Sequence, residues 1–423
     1  MGPMSQDMGK MKNINSTASK LAVLKQLCNL IPAHALSKLV REHDSERDAR
    51  SFSHWSHALT LLTSKSIHCF GLNDLCDQTY IHSGVFRSIR GATPAHRNTL
   101  SHANKTRPSA IGEGLFWETL RHLTSVAPGF GKRSYPGKLG KMRKAIHIMD
   151  STVIELCANC MDWARHRRRK AAAKAHVRLN FESLLPGYVV VDTARESDVR
   201  RARELTSGLK EGEIVVFDRG YTDHGHFADL GERGVSWVTR MKEGTTYTVV
   251  ERREVSGRVH EDEVIDLSNG TRCRRVRATV EVDGEDREMV FLTNHLEWSA
   301  DTVTELYRAR WQIKVFFKQL KQTLKLSDLI NYSANGIRWQ IWMALLVHML
   351  MRYMAWLSQW THSHVRLFAM VRGVLWRRID FLSFWSPMGQ DKAATGTWRP
   401  RPRRICRGWR DVHGTARRRK WRI

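Results

Sequence analysis

The sequence predicts an α/β protein: a core of strands and helices, interrupted by a β-rich insertion and preceded by a helical N-terminal domain. Three observations carry this. Before residue 125 the apolar residues recur every three or four positions. Between 145 and 230, short apolar runs ending in aspartate alternate with a helical stretch. From 235 to 294 the pattern changes to short β-branched segments.

In order along the chain, Leu21, Leu24, Leu27 and Leu30, and later Leu115, Leu120 and Leu123, set the helical period of the first region, residues 1–125. Residues 126–144 are rich in Gly, Pro and Lys, with Pro128-Gly129 and Pro136-Gly137 as turn markers, and form a linker. The first part of the core, 145–230, opens with an apolar run at 145–149 ending in Asp150. A second run, 188–191, ends in Asp192, and a third, 214–217, ends in Asp218. Between the last two, 197–209 reads as a helix closed by a Gly-containing turn. The insertion, 231–296, holds the runs 237–239, 247–250, 276–282 and 289–293. In the helical end, 297–385, residues 302–326 contain no Gly or Pro and read as one long helix.

The tail, 386–423, has neither period. Residues 391–423 hold 12 Lys or Arg against 2 Asp, with Trp398, Trp409 and Trp421. It is either a nucleic-acid-binding tail or, the reading favoured by its Arg, Trp, Gly and Pro, a stretch translated out of its ancestral frame. In both cases it is expected to lack structure.

A chain of 423 residues suggests two or three domains, and 42% hydrophobic with 26% charged residues argues against wholesale disorder. A net charge of +27 suits a polyanion, with nucleic acid the leading partner. The most apolar segment, 341–357, is broken by His348 and Arg352 and reads as a buried helix, not a membrane span. The polar N-terminus argues against secretion and for the cytoplasm. Seven scattered cysteines suit reduced thiols, and the one C-x-x-C, Cys157 and Cys160, has no second pair to complete a zinc site.

Asp150 and Asp218 stand at the ends of their runs, where catalytic groups of α/β sheets commonly stand. Two such carboxylates suit hard divalent cations, although an Asp after an apolar run more often caps a turn. On the helix near residue 310, Tyr307, Arg310, Lys314 and Lys321 fall within a stripe of roughly 60° at about 100° per residue. That stripe is either a phosphate-lining face or a solvated basic one. His176 shares a strand with Lys174 and could approach the same site, though a lone His is more often structural.

Together these residues resemble a family. Asp150-Ser-Thr, Asp218-Arg-Gly-Tyr, and the spaced Tyr307, Arg310, position 314 and Lys321 are similar to the DDE transposases of bacterial insertion sequences, the insertion sequence four type, marked by Y-x2-R-x3-E-x6-K. The resemblance runs from about residue 21 to 382 and includes 99–105 and 170–176. It implies a ribonuclease-H-like catalytic core, with Asp150 and Asp218 holding two Mg2+ ions or Mn2+ in their place. It also implies double-stranded DNA at terminal inverted repeats as partner, contacted by Tyr307, Arg310, Lys321, Lys174 and His176, a homodimer on that DNA, and strand cleavage and transfer. The region 1–125 would bind DNA.

One departure is large: Lys314 stands where the family has Glu, a one-base codon change. An ammonium in place of a carboxylate removes a metal ligand and opposes divalent binding, so this copy is expected to be inactive or impaired. Glu305 would face away on the same helix and Asp328 lies about 20 Å further along, so neither replaces it. Lys314 could instead form a salt bridge with Asp150 or Asp218. The alternatives are a catalytically dead protein that occupies element ends, and a basic RNA-binding protein, for which no recognition pattern appears.

Overall fold

The computed structural model describes residues 21–45, 51–69, 71–132, 138–142, 144–156, 165–167, 170–193, 197–282, 284–324 and 329–381. Cys157 and Cys160, Asp328 and the basic tail lie outside them. Cys28, Cys69, Cys76 and Cys273 are free thiols.

Among the described residues seven helices come first: α1 (Val23–Asn29), α2 (Ala35–Glu42), α3 (His54–Ile67), α4 (Leu72–Ile81), α5 (Ser83–Ser88), α6 (Arg97–Thr106) and α7 (Ser109–Val126). A short α8 (Lys138–Lys141) leads into the sheet. Helix α2 buries Ala35, Leu36, Leu39 and Val40, the stripe expected of an amphipathic surface helix. Helix α3 is buried on nearly every side, hydroxyls included. Thr60, Thr63 and Ser66 donate to the carbonyls of Ser56, Leu59 and Leu62, four residues back, so the buried hydroxyls are satisfied within the helix.

These helices do not form a separate body. They share a core with α13 (Ala334–Leu357) and α14 (His364–Val374) near the other end of the chain. Val23 N donates to Arg377 O at 3.0 Å and Leu24 N to Leu375 O at 2.9 Å, while Phe381 N donates to Gln26 Oε1 at 3.0 Å. Helix α13 contains the apolar segment 341–357 and is buried along its length, with His348 in the core and Arg352 donating to the carbonyls of Ser183 and Leu184. Among the described residues no helix is long and apolar enough to cross a membrane.

Close approach of α7 to α13 depends on Gly112, where an added Cβ would lie 2.7 Å from Trp339 Cε3. The Trp339 ring is fully buried and its Nε1 donates to Arg107 O at 2.9 Å, so it has little room to yield. Gly112→Ala is therefore expected to destabilise the protein by about 1–3 kcal/mol through overpacking, against a helix-propensity gain of about 1 kcal/mol. A fall in the urea midpoint at unchanged slope would show it.

The strands are β1 (Ile146–Leu156), β2 (Arg165–Arg167), β3 (Lys170–Asn180), β4 (Pro186–Thr193), β5 (Ile214–Phe217), β6 (Ser236–Arg240), β7 (Tyr247–Arg252), β8 (Val259–Leu267), β9 (Arg272–Val282) and β10 (Glu285–Thr293). They form one sheet in the order β2-β3-β1-β5-β6-β10-β9-β8-β7, with β4 also on β3. Within it, β4, β3 and β1 are successively antiparallel, and β5 and β6 run parallel to β1. Helix α9 (Asp198–Thr206) joins β4 to β5, and α10 (His224–Glu232) joins β5 to β6. All four residues of β5 are buried, as a central parallel strand requires.

Three elements differ from the sequence expectation. Strand β1 does not end at Asp150 but continues to Leu156, because β3 goes on pairing with it. Strand β6, grouped by its β-branched composition with the insertion, pairs with β5; the antiparallel strands β7 to β10 extend the sheet from its far side. The described part of residues 302–326 falls in two helices, α11 (Ala300–Ala309) and α12 (Trp311–Thr323), that meet at Arg310. There the ladder tightens to three-residue steps, Arg310 N to Tyr307 O and Ile313 N to Arg310 O.

Candidate active site

The last paired residues of β1 and β5 are Met149 and Phe217, so Asp150 and Asp218 follow one step later on adjoining strands. Strand β5 ends there. Asp218 accepts from Arg219 N at 2.9 Å and opens a 3-10 turn, Arg219–Tyr221. Asp150 is held from its own strand, its Oδ1 accepting from Ser151 N at 2.8 Å.

Arg310, at the junction of α11 and α12, reaches both carboxylates. Its Nη1 donates to Asp150 Oδ2 at 2.8 Å and stands 3.7 Å from Asp218 Oδ2. One turn earlier, Tyr307 donates its hydroxyl to Asp218 Oδ1 at 3.3 Å, and its ring lies under the Arg310 guanidinium at 5.1 Å. Burial pushes the Tyr307 phenol up to about 12, so it stays a donor. Burial also raises Asp150 above the ordinary carboxylate range, against the pull of Arg310. For Arg310 itself burial acts downward, but the facing Tyr307, Asp218 and Asp150 outweigh it and raise its pKa. A cation therefore already sits where Asp150, within β1, meets Asp218 at the end of β5.

The rest of the expected stripe makes no hydrogen bond or ion pair with either aspartate among the described residues. Helix α12 buries Ile313, Phe316, Phe317 and Leu320, which leaves Lys314 exposed, its Nζ 5.2 Å over the Trp311 ring. Lys314 forms no ion pair with Asp150 or Asp218; that expectation is corrected, because Arg310 makes the contact instead. The Lys314 charge still acts on Asp150 through space. Lys321 is half-buried, its pKa lowered by desolvation and drawn back by Glu155 of β1.

Lys174 and His176 do lie on one strand, β3, but both turn to Asp198. Lys174 Nζ is 2.9 Å and His176 Nδ1 3.4 Å from Asp198 Oδ1. The His176 side chain is fully buried. Three residues were missed: Ser151, Tyr221 and Asp198. Ser151 and Tyr221 sit inside the motifs of the two aspartates, whereas the Ser197-Asp198 pair signals only a helix start.

Among the described residues no group of three His, Cys, Asp or Glu side chains could hold a metal ion. Asp150 and Asp218 alone offer two hard oxygen donors facing one positive group. Such a pair is the donor type that hard divalent cations take.

Two aspartates on adjoining strands are thus tied into one acidic cluster by Arg310 and Tyr307. Residues 141–350 match the family described as "Transposase DDE domain". Residues 19–84 match a "Domain of unknown function (DUF4372)". The chain is 28% identical over 299 residues to "Putative transposase y4zB" of Sinorhizobium fredii, covering 68% of this chain and 80% of the relative. It is 25% identical over 328 residues to "Probable transposase for insertion sequence element IS5377" of Geobacillus stearothermophilus, covering 75% and 83%. A cryo-EM structure of the piggyBac transposase synaptic complex with hairpin DNA aligns at TM-score 0.43 and 9% identity, over 87% of this chain and 83% of that one.

Proposed function

We propose that the protein is a transposase of an insertion sequence, with a ribonuclease-H-like catalytic core, that binds double-stranded DNA at terminal inverted repeats and is impaired by Lys314. The observation that carries this is the joining of Asp150 and Asp218 by one Arg310 guanidinium. The strand order β4-β3-β1-β5-β6, with the last two parallel to β1, supports the core assignment. In this reading residues 1–125 contribute to DNA binding, the protein acts as a dimer on two ends, and it works in the cytoplasm on the nucleoid.

Asp150 and Asp218 would hold Mg2+, or Mn2+ in its place, which when bound stabilises the attacking and leaving oxygens of strand cleavage. Arg310 and Lys321 supply cations for the phosphates of the bound end. Tyr307, kept protonated by burial, fixes the Asp218 carboxylate by donating to it. A second ion calls for a third carboxylate, and position 314 presents an exposed ammonium instead. That feature also favours a second reading, a protein that occupies element ends without cutting them.

The test uses a duplex from the termini flanking the gene and the Lys314→Glu chain. Magnesium-dependent nicking is expected, and Asp150→Asn or Asp218→Asn is expected to remove it while end binding in a mobility-shift assay persists. Nicking that survives both substitutions would sink the assignment.

A further inference from the structure

We infer that Asp198 is a positioning residue that fixes the Asp150 and Asp218 backbone segments relative to each other; this rests on the transposase reading above. Asp198 is the first residue of α9, but its side chain is not spent on its own helix. Ser197 already caps that helix by accepting from Arg200 N at 3.4 Å. The Asp198 carboxylate turns instead toward the sheet.

Three segments converge on it. From β1, Ser151 Oγ donates to Asp198 Oδ1 at 2.8 Å, and the same Ser151 donates its backbone N–H to Asp150. From β3, Lys174 supplies the counter-charge at 2.9 Å. From the turn after β5, Tyr221 OH lies 3.1 Å from His176 Nδ1, itself 3.4 Å from Asp198 Oδ1. The same turn packs directly on the carboxylate: a Cβ at Gly220 would lie 3.1 Å from Asp198 Oδ2. One side chain thus spans the residue after Asp150 and the Arg219–Tyr221 turn that Asp218 opens. Loss of it frees both aspartates to drift apart. Groups that orient metal-binding side chains in this way typically change affinity or activity by about 10–100-fold when removed.

The test uses the full-length Lys314→Glu chain and Mn2+ as probe, with free Mn2+ read by electron paramagnetic resonance, end cleavage and thermal melting measured in parallel. Asp198→Ala is expected to weaken Mn2+ binding and slow cleavage about tenfold or more while a cooperative melt remains. Ser151→Ala, which removes one hydroxyl and is the milder change to the fold, is expected to weaken Mn2+ binding too. The double variant should lose less than the sum of the two, because both cut the same link. A lowered melting temperature with Mn2+ affinity and cleavage unchanged would make Asp198 merely structural and overturn the inference, as would strictly additive losses. If the Lys314→Glu parent itself neither binds Mn2+ nor cleaves, the transposase reading fails first and takes the inference with it.

Discussion

Lys314→Glu is expected to raise magnesium-dependent end cleavage by on the order of 10²–10⁴-fold over the present chain. A metal-bound oxygen gains several kcal/mol of transition-state stabilisation, and each 1.36 kcal/mol is a factor of ten in rate. The substitution has little else to disturb. Lys314 is exposed and its one described contact is the Trp311 ring, so stability should change by no more than about 0.5 kcal/mol. Lys314→Met separates the two effects of the present residue. It removes the positive charge beside Asp150 without supplying a ligand, and is expected to leave cleavage near its starting level. Equal recovery in the Met and Glu variants would mean that repulsion, not the missing carboxylate, is what silences the chain. No recovery in either would count against position 314 as the defect.

The second large effect is acid unfolding. His57, His176, His226 and His348 are buried and held neutral by desolvation, with the first three lowered to about 3, 4 and 4 and His348 well below its ordinary value. Their folded values lie below the unfolded value near 6.5, so as pH falls the unfolded chain takes up protons first. The stability they contribute is complete above about pH 6.5 and is lost as pH falls toward 4. At pH 5.5 each costs roughly 1 kcal/mol, on the order of 4 kcal/mol together, a large part of the 5–15 kcal/mol typical of a folded protein. Urea midpoints measured between pH 7.5 and 5.5 should fall with a slope equal to the uptake of several protons. A flat profile would show that these rings are not neutral and enclosed.

The two aspartates were legible because each closes a short apolar run, and because Asp218-Arg-Gly-Tyr and the Tyr307, Arg310 and Lys321 spacing are specific. The helical N-terminal region was legible from its period alone. What sequence could not show was set by partners distant in the chain. The extent of β1 past Asp150 depends on β3, and β6 belongs beside β5 only because of pairing that composition does not encode. The break at Arg310 carries no Gly or Pro; it falls at the residue whose side chain is anchored by both strands. His176 reads the same in a strand whether it points into the core or out to a groove, and Asp198 looked like an ordinary first-turn acid.

The docking of α1 against residues 375–381 sets an order of events during synthesis. Val23, Leu24 and Gln26 cannot acquire all of these hydrogen bonds until Phe381 has left the ribosome, so an early-emerging helix is among the last to be seated. Closing so long a loop makes folding slow, and exposes the apolar faces of α1 and α2 to other chains in the interval. A nascent chain stalled before that point would carry an assembled sheet and an unanchored beginning, a natural substrate for chaperones and proteases.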